Sequence, residues 1–136
     1  MNKAPVWLLR ETVLAMHDLL IAEFGGAAGI RDEALLDSAL ARPRNLFAYE
    51  QSPVFDLAAS LAFGLIRNHP FLDGNKRVAF TAAVTFLHLN GRRLSATEVD
   101  ATVRTLALAA GDMTEAEYGV WLKGNSRMSR ATHDHS

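Results

Sequence analysis

The sequence predicts an all-α fold, a compact bundle of about six helices. Apolar residues recur at three- and four-residue spacing along most of the chain, and capping residues and glycines punctuate those runs. Only one short stretch, 44–52, has a strand-like look. With 136 residues and 49% apolar content, the chain can bury roughly two-thirds of the surface it exposes when unfolded, enough for one domain without a metal or disulfide staple. That domain is expected to span residues 1–125, with 126–136 as a flexible tail.

The elements follow in order. Leu9, Val13, Met16, Leu20 and Phe24 share one helical face, and Gly25-Gly26 stops the run, so residues 8–24 are expected to be a helix with His17 and Asp18 on its solvated side. After a Gly/Ala turn over 25–31, Asp32 can cap a helix to about Ala41 whose buried residues are Leu35, Leu36, Ala39 and Leu40. Pro43 is read as its end, and 44–52 as an extended flap or short hairpin.

Ser52-Pro53 then offers a capping hydroxyl and a proline at the first helical position, opening a helix over 53–67. It is apolar almost all round, with Asp56, Ser60, Gly64 and Arg67 on one narrow stripe, and so is expected to cross the centre of the domain. A second apolar helix occupies 77–89, and Asn90-Gly91 stops it. Ser95 with Glu98 reads as a capping box for a helix over 96–110, with Val99, Val103, Leu106 and Ala110 facing inward and Gly111 closing it. Thr114 with Glu117 repeats the capping box for 115–123, which carries Tyr118 and Trp121 and ends at Gly124. His133 and His135 in the tail lack the further ligands of a designed metal site.

Composition narrows the function classes. The absence of cysteine excludes disulfides, thiolate nucleophiles and cysteine-based zinc sites. A net charge of −1 and a pI near 6.5 supply no basic surplus for nucleic acid or anionic membrane, so any anion site must be local. The longest nearly uncharged apolar runs, 57–66 and 78–89, fall short of the ~20 residues of a membrane-spanning helix. The first seven residues also lack the apolar core of a signal peptide. A soluble cytoplasmic protein is expected, with no membrane partner.

Between the two most apolar stretches lies His69-Pro70-Phe71-Leu72-Asp73-Gly74-Asn75-Lys76-Arg77. Polar groups joining two buried helices are costly unless they have partners, which marks the loop as a candidate site. Gly74, Asn75, Lys76 and Arg77 open a helix, where free backbone N–H groups and the positive end of the helix dipole attract anions. Two cations beside that end suit a polyphosphate better than a lone carboxylate. Asp73 supplies one hard oxygen for Mg²⁺, which usually takes one or two carboxylates and completes its shell with phosphate and water. A nucleotide with Mg²⁺ is the ligand this pattern suits. Histidine is the side chain best suited to general-base work near neutral pH, and His69, four residues before Asp73, could take a proton from an attacking hydroxyl. Phe71 is expected to anchor the loop in the core. Singly, each polar residue has a plain structural explanation: His69 as a helix-end contact, Asp73 as a cap, Lys76 and Arg77 as solvated cations. Five groups of complementary chemistry in nine residues are harder to explain that way.

These nine residues resemble the signature loop of the Fic/Doc superfamily, H-P-F-x-[D/E]-G-N-[G/K]-R, at every specified position. Residues 29–43, from Gly29-Ile30-Arg31-Asp32 to Arg42-Pro43, also look like the Doc (death-on-curing) branch. Position 76 is Lys where adenylyl-transferring Fic enzymes have Gly, and position 80 is Phe where they carry a second Arg. Both departures point to Doc.

What the resemblance implies is a toxin of a toxin–antitoxin pair that binds ATP reversed relative to Fic, so that the γ-phosphate meets a protein hydroxyl. Its implied target is a threonine of elongation factor Tu, and the outcome translation arrest. In that scheme His69 is the general base, Asp73 the Mg²⁺ ligand, and Gly74, Asn75, Lys76 and Arg77 the phosphate cradle, with Arg77 also neutralising charge during transfer. No internal inhibitory motif of the form [S/T]-x-x-x-E-[G/N] is present, so the implied inhibitor is a Phd-like antitoxin supplied in trans, with DNA contacted only through it. Two alternatives stay open: Fic-type AMP transfer, and a non-catalytic antitoxin-binding co-repressor.

Overall fold

The computed structural model describes residues 3–129. They form six helices, α1 (Arg10–Phe24), α2 (Glu33–Glu50), α3 (Val54–Asn68), α4 (Asn75–Leu89), α5 (Glu98–Ala110) and α6 (Glu115–Gly124). Two short strands, β1 (Arg92–Leu94) and β2 (Ser126–Met128), complete the order. The all-α class is as expected, and the small sheet is an addition to it.

The centre belongs to α3, as its sequence anticipates. It packs against α2, α4 and α6, and buries Leu57, Ala58, Ala59, Ser60, Leu61, Ala62, Gly64 and Leu65. Each buried leucine contributes roughly 1.5–3 kcal/mol of apolar transfer. Alanines on α3 and on α4 (Ala79, Ala82, Ala83) keep the helix surfaces shallow and let the backbones approach. At Gly64 a methyl group would lie 2.8 Å from Arg42 Cδ and 3.3 Å from Ala39 Cα, so α2 crosses α3 where only glycine fits. Arg42 holds that crossing from α2, donating to the Ser60 carbonyl at 2.6 Å and pairing with Glu115 of α6 at 2.9 Å.

Several caps fall as read and others move. Asp32 accepts from the Leu35 N–H at 2.9 Å, and Thr114 and Glu117 make both bonds of their capping box, at 3.1 and 2.8 Å. By contrast α3 starts one residue later than expected: Pro53 is the capping residue, and no side chain caps the helix. At α5 the cap is Thr97, which accepts from the Asp100 N–H at 3.1 Å, while Ser95 instead donates its hydroxyl to the Asn125 carbonyl at 3.0 Å. Gly91 takes the left-handed conformation after α4, with φ +79°.

Three larger expectations are corrected. First, Pro43 does not end a helix and 44–52 is not a flap or hairpin: α2 runs on through Pro43 to Glu50. An internal proline costs about 3 kcal/mol through its missing N–H and its ring clash. Here Leu36, Ala39 and Pro43 are buried along one face, and Leu46 and Phe47 extend that face onto the core, where Phe47 meets Trp7 edge-on at 6.0 Å. Continued burial offsets the proline.

Second, α5 is rotated from its expected setting. Val99, Val103, Leu106 and Ala110 are exposed, and Ala101, Thr105 and Leu108 face the core. Two polar contacts set the rotation: the Thr105 hydroxyl shares a hydrogen bond with that of Tyr118 at 2.9 Å, and the Trp121 indole N–H donates to Asp100 at 2.8 Å. The Trp121 bond, with the Arg104 guanidinium adding to it, holds the Asp100 carboxyl below the usual carboxylate range. A Val103→Glu substitution is accordingly expected to change stability by no more than about 0.5 kcal/mol in urea denaturation, where an inward-facing valine would cost several times that.

Third, residues 126–128 are not a frayed tail. They pair antiparallel with β1, Leu94 opposite Ser126 and Arg92 opposite Met128. Residues 130–136, with His133 and His135, lie outside the described residues.

Tyr118 is fully buried on α6, and burial pushes its phenol up to about 12, the Thr105 hydrogen bond partly opposing the rise. A folded-state pKa raised above that of the unfolded chain gives stability that is complete below pH ~10 and lost as pH rises toward ~12. Urea midpoints measured from pH 8 to 12 should therefore fall along a limb worth about 2–3 kcal/mol, and Tyr118→Phe should abolish that limb.

Candidate active site

The loop between α3 and α4 is built by its neighbours as much as by itself. His69 ends α3 in the left-handed conformation, φ 51° and ψ 54°, turning the chain sharply out of the helix. A helix end leaves its last carbonyls without partners. Arg31 supplies two, its guanidinium donating to the carbonyls of His69 at 2.7 Å and Asn68 at 2.9 Å. The Pro70 carbonyl accepts from the backbone N–H groups of Arg31 and Asp32, the Leu72 N–H donates to the Gly29 carbonyl, and Ile30 bridges Phe71. The segment after α1 thus lies antiparallel along the loop and fixes its height.

Phe71 is 1% exposed and anchors the loop in the core, as expected. Asn75 closes the turn behind it: its side chain accepts from the Phe71 N–H and donates to the Phe71 carbonyl, both at 3.0 Å. Asn75 is buried with both ends of its amide engaged, while its backbone N–H belongs to the first turn of α4. Asn68 likewise spends its amide on the Leu35 carbonyl.

The remaining polar residues are outward. His69, Asp73, Lys76 and Arg77 are all exposed. Gly74 caps α4 in the left-handed conformation, φ 75°, and no side chain caps the helix, so the N–H groups of its first turn point out beside Lys76 and Arg77. Arg77 lies over the ring of Phe24 at 4.1 Å from its centroid, a cation–π contact that ties this cation to the end of α1. The Asp73 carboxylate accepts from the Gly74 N–H at 2.8 Å with one oxygen and from Ala27 N–H at 3.4 Å with the other. Lone pairs remain on both oxygens.

This donor set suits Mg²⁺ held jointly with a ligand rather than by the protein alone. Among the described residues no group of three or more His, Asp or Glu side chains converges, and Asp73 offers a single hard carboxylate next to an uncapped helix start. That matches the way Mg²⁺ takes one or two carboxylates and fills its shell with phosphate and water.

Three contributors to the site escaped sequence reading. His17, expected on the solvated side of α1, is 1% exposed and lies against the loop. It sits four residues after Val13, the other buried residue of that helix, and this spacing was its available signal. Arg31 carried none beyond its place in the Doc-like segment 29–43, just before the capping Asp32. Gly26 is the third: a methyl group there would lie 2.6 Å from Asp73 Oδ2, and its φ is +113°. Gly26→Ala should cost about 1–3 kcal/mol in strain and swing the Asp73 carboxylate aside. Thermal melting reads the first effect, and a shift of the Gly74 amide resonance, whose N–H the carboxylate accepts from, reads the second.

A family model described as Fic/DOC family matches residues 7–87, more than half of the chain and all of the loop. The chain belongs to the Fic/Doc family. Curated relatives place it in the Doc branch. It is 46% identical over 92 residues to the protein named Toxin Doc of Mycolicibacterium smegmatis, an alignment covering 66% of this chain and 68% of that one. It is 34% identical over 82 residues to the protein named Protein kinase doc of Escherichia phage P1, covering 60% of this chain and 65% of that one. The loop that the family model covers is, in this chain, a helix end, a turn and a helix start. The Doc-type residues also have places in it, Lys76 exposed in the first turn of α4 and Phe80 half-buried one turn on.

Proposed function

We propose that this Doc-family chain is the toxin of a toxin–antitoxin pair and a protein kinase. It moves the γ-phosphate of ATP to a protein hydroxyl, with a threonine of elongation factor Tu as the target and translation arrest as the result. The observation that carries this is the complete signature loop, set as an uncapped helix start with Lys76 and Arg77 beside it, Asp73 one residue before its Gly74 cap, and His69 exposed at the other end of the turn. The names of the two relatives, a toxin and a protein kinase, support the same reading.

Phosphoryl transfer asks chiefly for positioning and neutralisation of charge. The first-turn N–H groups of α4, with Lys76 and Arg77, hold the phosphates, and Asp73 holds Mg²⁺, which when bound shields the phosphate charge. His69 takes the proton from the target hydroxyl as its oxygen attacks the γ-phosphorus. The bond from that phosphorus to the bridging oxygen breaks, and ADP leaves. Lys76 occupies the position where Fic enzymes have glycine, which favours γ-phosphate over AMP transfer. A Phd-like antitoxin in trans supplies the inhibition, and DNA is met through it. Among the described residues no helix is long and apolar enough to cross a membrane, in keeping with a cytoplasmic site of action.

The test is incubation of the purified chain, freed of antitoxin, with Mg²⁺ and ATP labelled on either the γ- or the α-phosphate in a bacterial lysate. Label moving from γ alone supports the kinase and leads to the target band. Label moving from α replaces it with AMP transfer. No transfer by a folded chain replaces it with an antitoxin-binding co-repressor.

A further inference from the structure

One residue of α1 grips the loop from inside the protein. The His17 ring is stacked on Phe71, centroids 3.9 Å apart and planes 11° apart, and its Nε2 lies 2.7 Å from the Asp73 carbonyl oxygen. A carbonyl can only accept, so Nε2 carries the proton and donates. The next residue, Gly74, is so close that a methyl group on it would meet His17 Nε2 at 3.7 Å. The peptide joining Asp73 to Gly74 is therefore held at both polar ends, its carbonyl by His17 and its N–H by the Asp73 carboxylate at 2.8 Å.

That peptide unit is where the two halves of the proposed site join. Its rotation sets the direction of the Asp73 side chain on one side and the left-handed turn of Gly74, hence the aim of the first N–H groups of α4, on the other. Filling this buried position could be done more cheaply by an apolar ring, since burying an imidazole costs desolvation unless its N–H is bonded. The structure assigns that bond to the backbone of the one exposed carboxylate of the loop.

We propose that His17 is a positioning residue. Its N–H locks the Asp73–Gly74 peptide so that the carboxylate and the helix start face one phosphate–Mg²⁺ ligand together. This rests on the functional reading of Asp73 and α4 given above. Such support from a buried neighbour is what keeps a surface loop within the tolerance of catalysis.

Two variants of the full chain separate donor from packing. His17→Phe keeps an aromatic ring on Phe71 and removes the N–H, while His17→Gln restores an N–H donor at the same number of bonds from the backbone. The readouts are Mg²⁺ affinity in the presence of a non-hydrolysable ATP analogue by calorimetry, turnover with γ-labelled ATP, thermal melting, and the Gly74 amide resonance without nucleotide. His17→Phe should melt close to the unaltered chain, bind Mg²⁺ about tenfold more weakly, lower turnover at least tenfold, and shift the Gly74 amide. His17→Gln should return affinity and turnover to within about threefold.

Equal Mg²⁺ affinity and turnover in His17→Phe would overturn the inference and leave His17 a packing residue. The same holds if His17→Gln is as impaired as His17→Phe, or if His17→Phe fails to fold and His17→Gln is impaired while its Gly74 amide is unmoved. If the unaltered chain itself binds no Mg²⁺ with the analogue, the functional reading fails and takes this inference with it. Binding by the unaltered chain and by His17→Phe alike removes the inference alone.

Discussion

Replacing His69 by alanine is expected to lower phosphate transfer by about 10²–10⁴-fold while the protein stays folded. The loss is the usual contribution of a positioned general base, about 3–5.5 kcal/mol of transition-state free energy. The fold should be indifferent for two reasons. The His69 ring is exposed and makes no hydrogen bond among the described residues, its backbone alone being engaged by Arg31. Its left-handed conformation, φ 51°, strains alanine and histidine about equally, since both carry a Cβ. Transfer of label from γ-labelled ATP, read beside thermal melting and toxicity on expression, checks both halves. Full transfer by the folded variant would remove His69 from the mechanism.

The largest expected effect on stability is that of Phe71→Ala. The side chain is 1% exposed, and truncating a buried phenylalanine costs about 3–5 kcal/mol through lost transfer energy and the cavity left behind. The stack with His17 adds about 0.5–1.5 kcal/mol. Total stability of a domain this size is about 5–15 kcal/mol, so the variant is expected to be marginal. Leu72, next in the chain but 53% exposed, provides the control: Leu72→Ala should stay within about 0.5 kcal/mol. Urea denaturation of the pair decides whether the loop hangs from the core by Phe71. Similar midpoints would show that Arg31, Asn75 and the backbone pairing hold it without the ring. In Phe71→Ala, activity per folded molecule should also fall, because the ring against which His17 rests is gone.

The candidate site could be read from the sequence to the extent that it is contiguous. His69, Asp73, Gly74, Lys76 and Arg77 lie within nine residues, and their chemistry is plain without knowing where the rest of the chain goes. What supports them is not contiguous. Arg31 reaches back to the end of α3, and Gly26 is required by a carboxylate from a distant turn. The Asn75 side chain braces the loop from within, because a group that can both donate and accept satisfies the two backbone groups of buried Phe71.

By itself the sequence determined what acts within about one helical turn: helical periodicity, the Asp32 cap, the Thr114–Glu117 box, the glycine stops, and the polar loop between two apolar helices. Tertiary structure decided which way α5 and His17 face and how far α2 runs. α5 presents its valines to solvent because Thr105 and Asp100 find partners on α6, and α2 survives Pro43 because its next turn is held on the core. His17 turns inward, where its ring stacks on Phe71 and its Nε2 meets the Asp73 carbonyl. Caps and periodicity are satisfied by near neighbours in the chain, whereas burial and hydrogen-bond pairing are settled by groups that only the fold brings within reach.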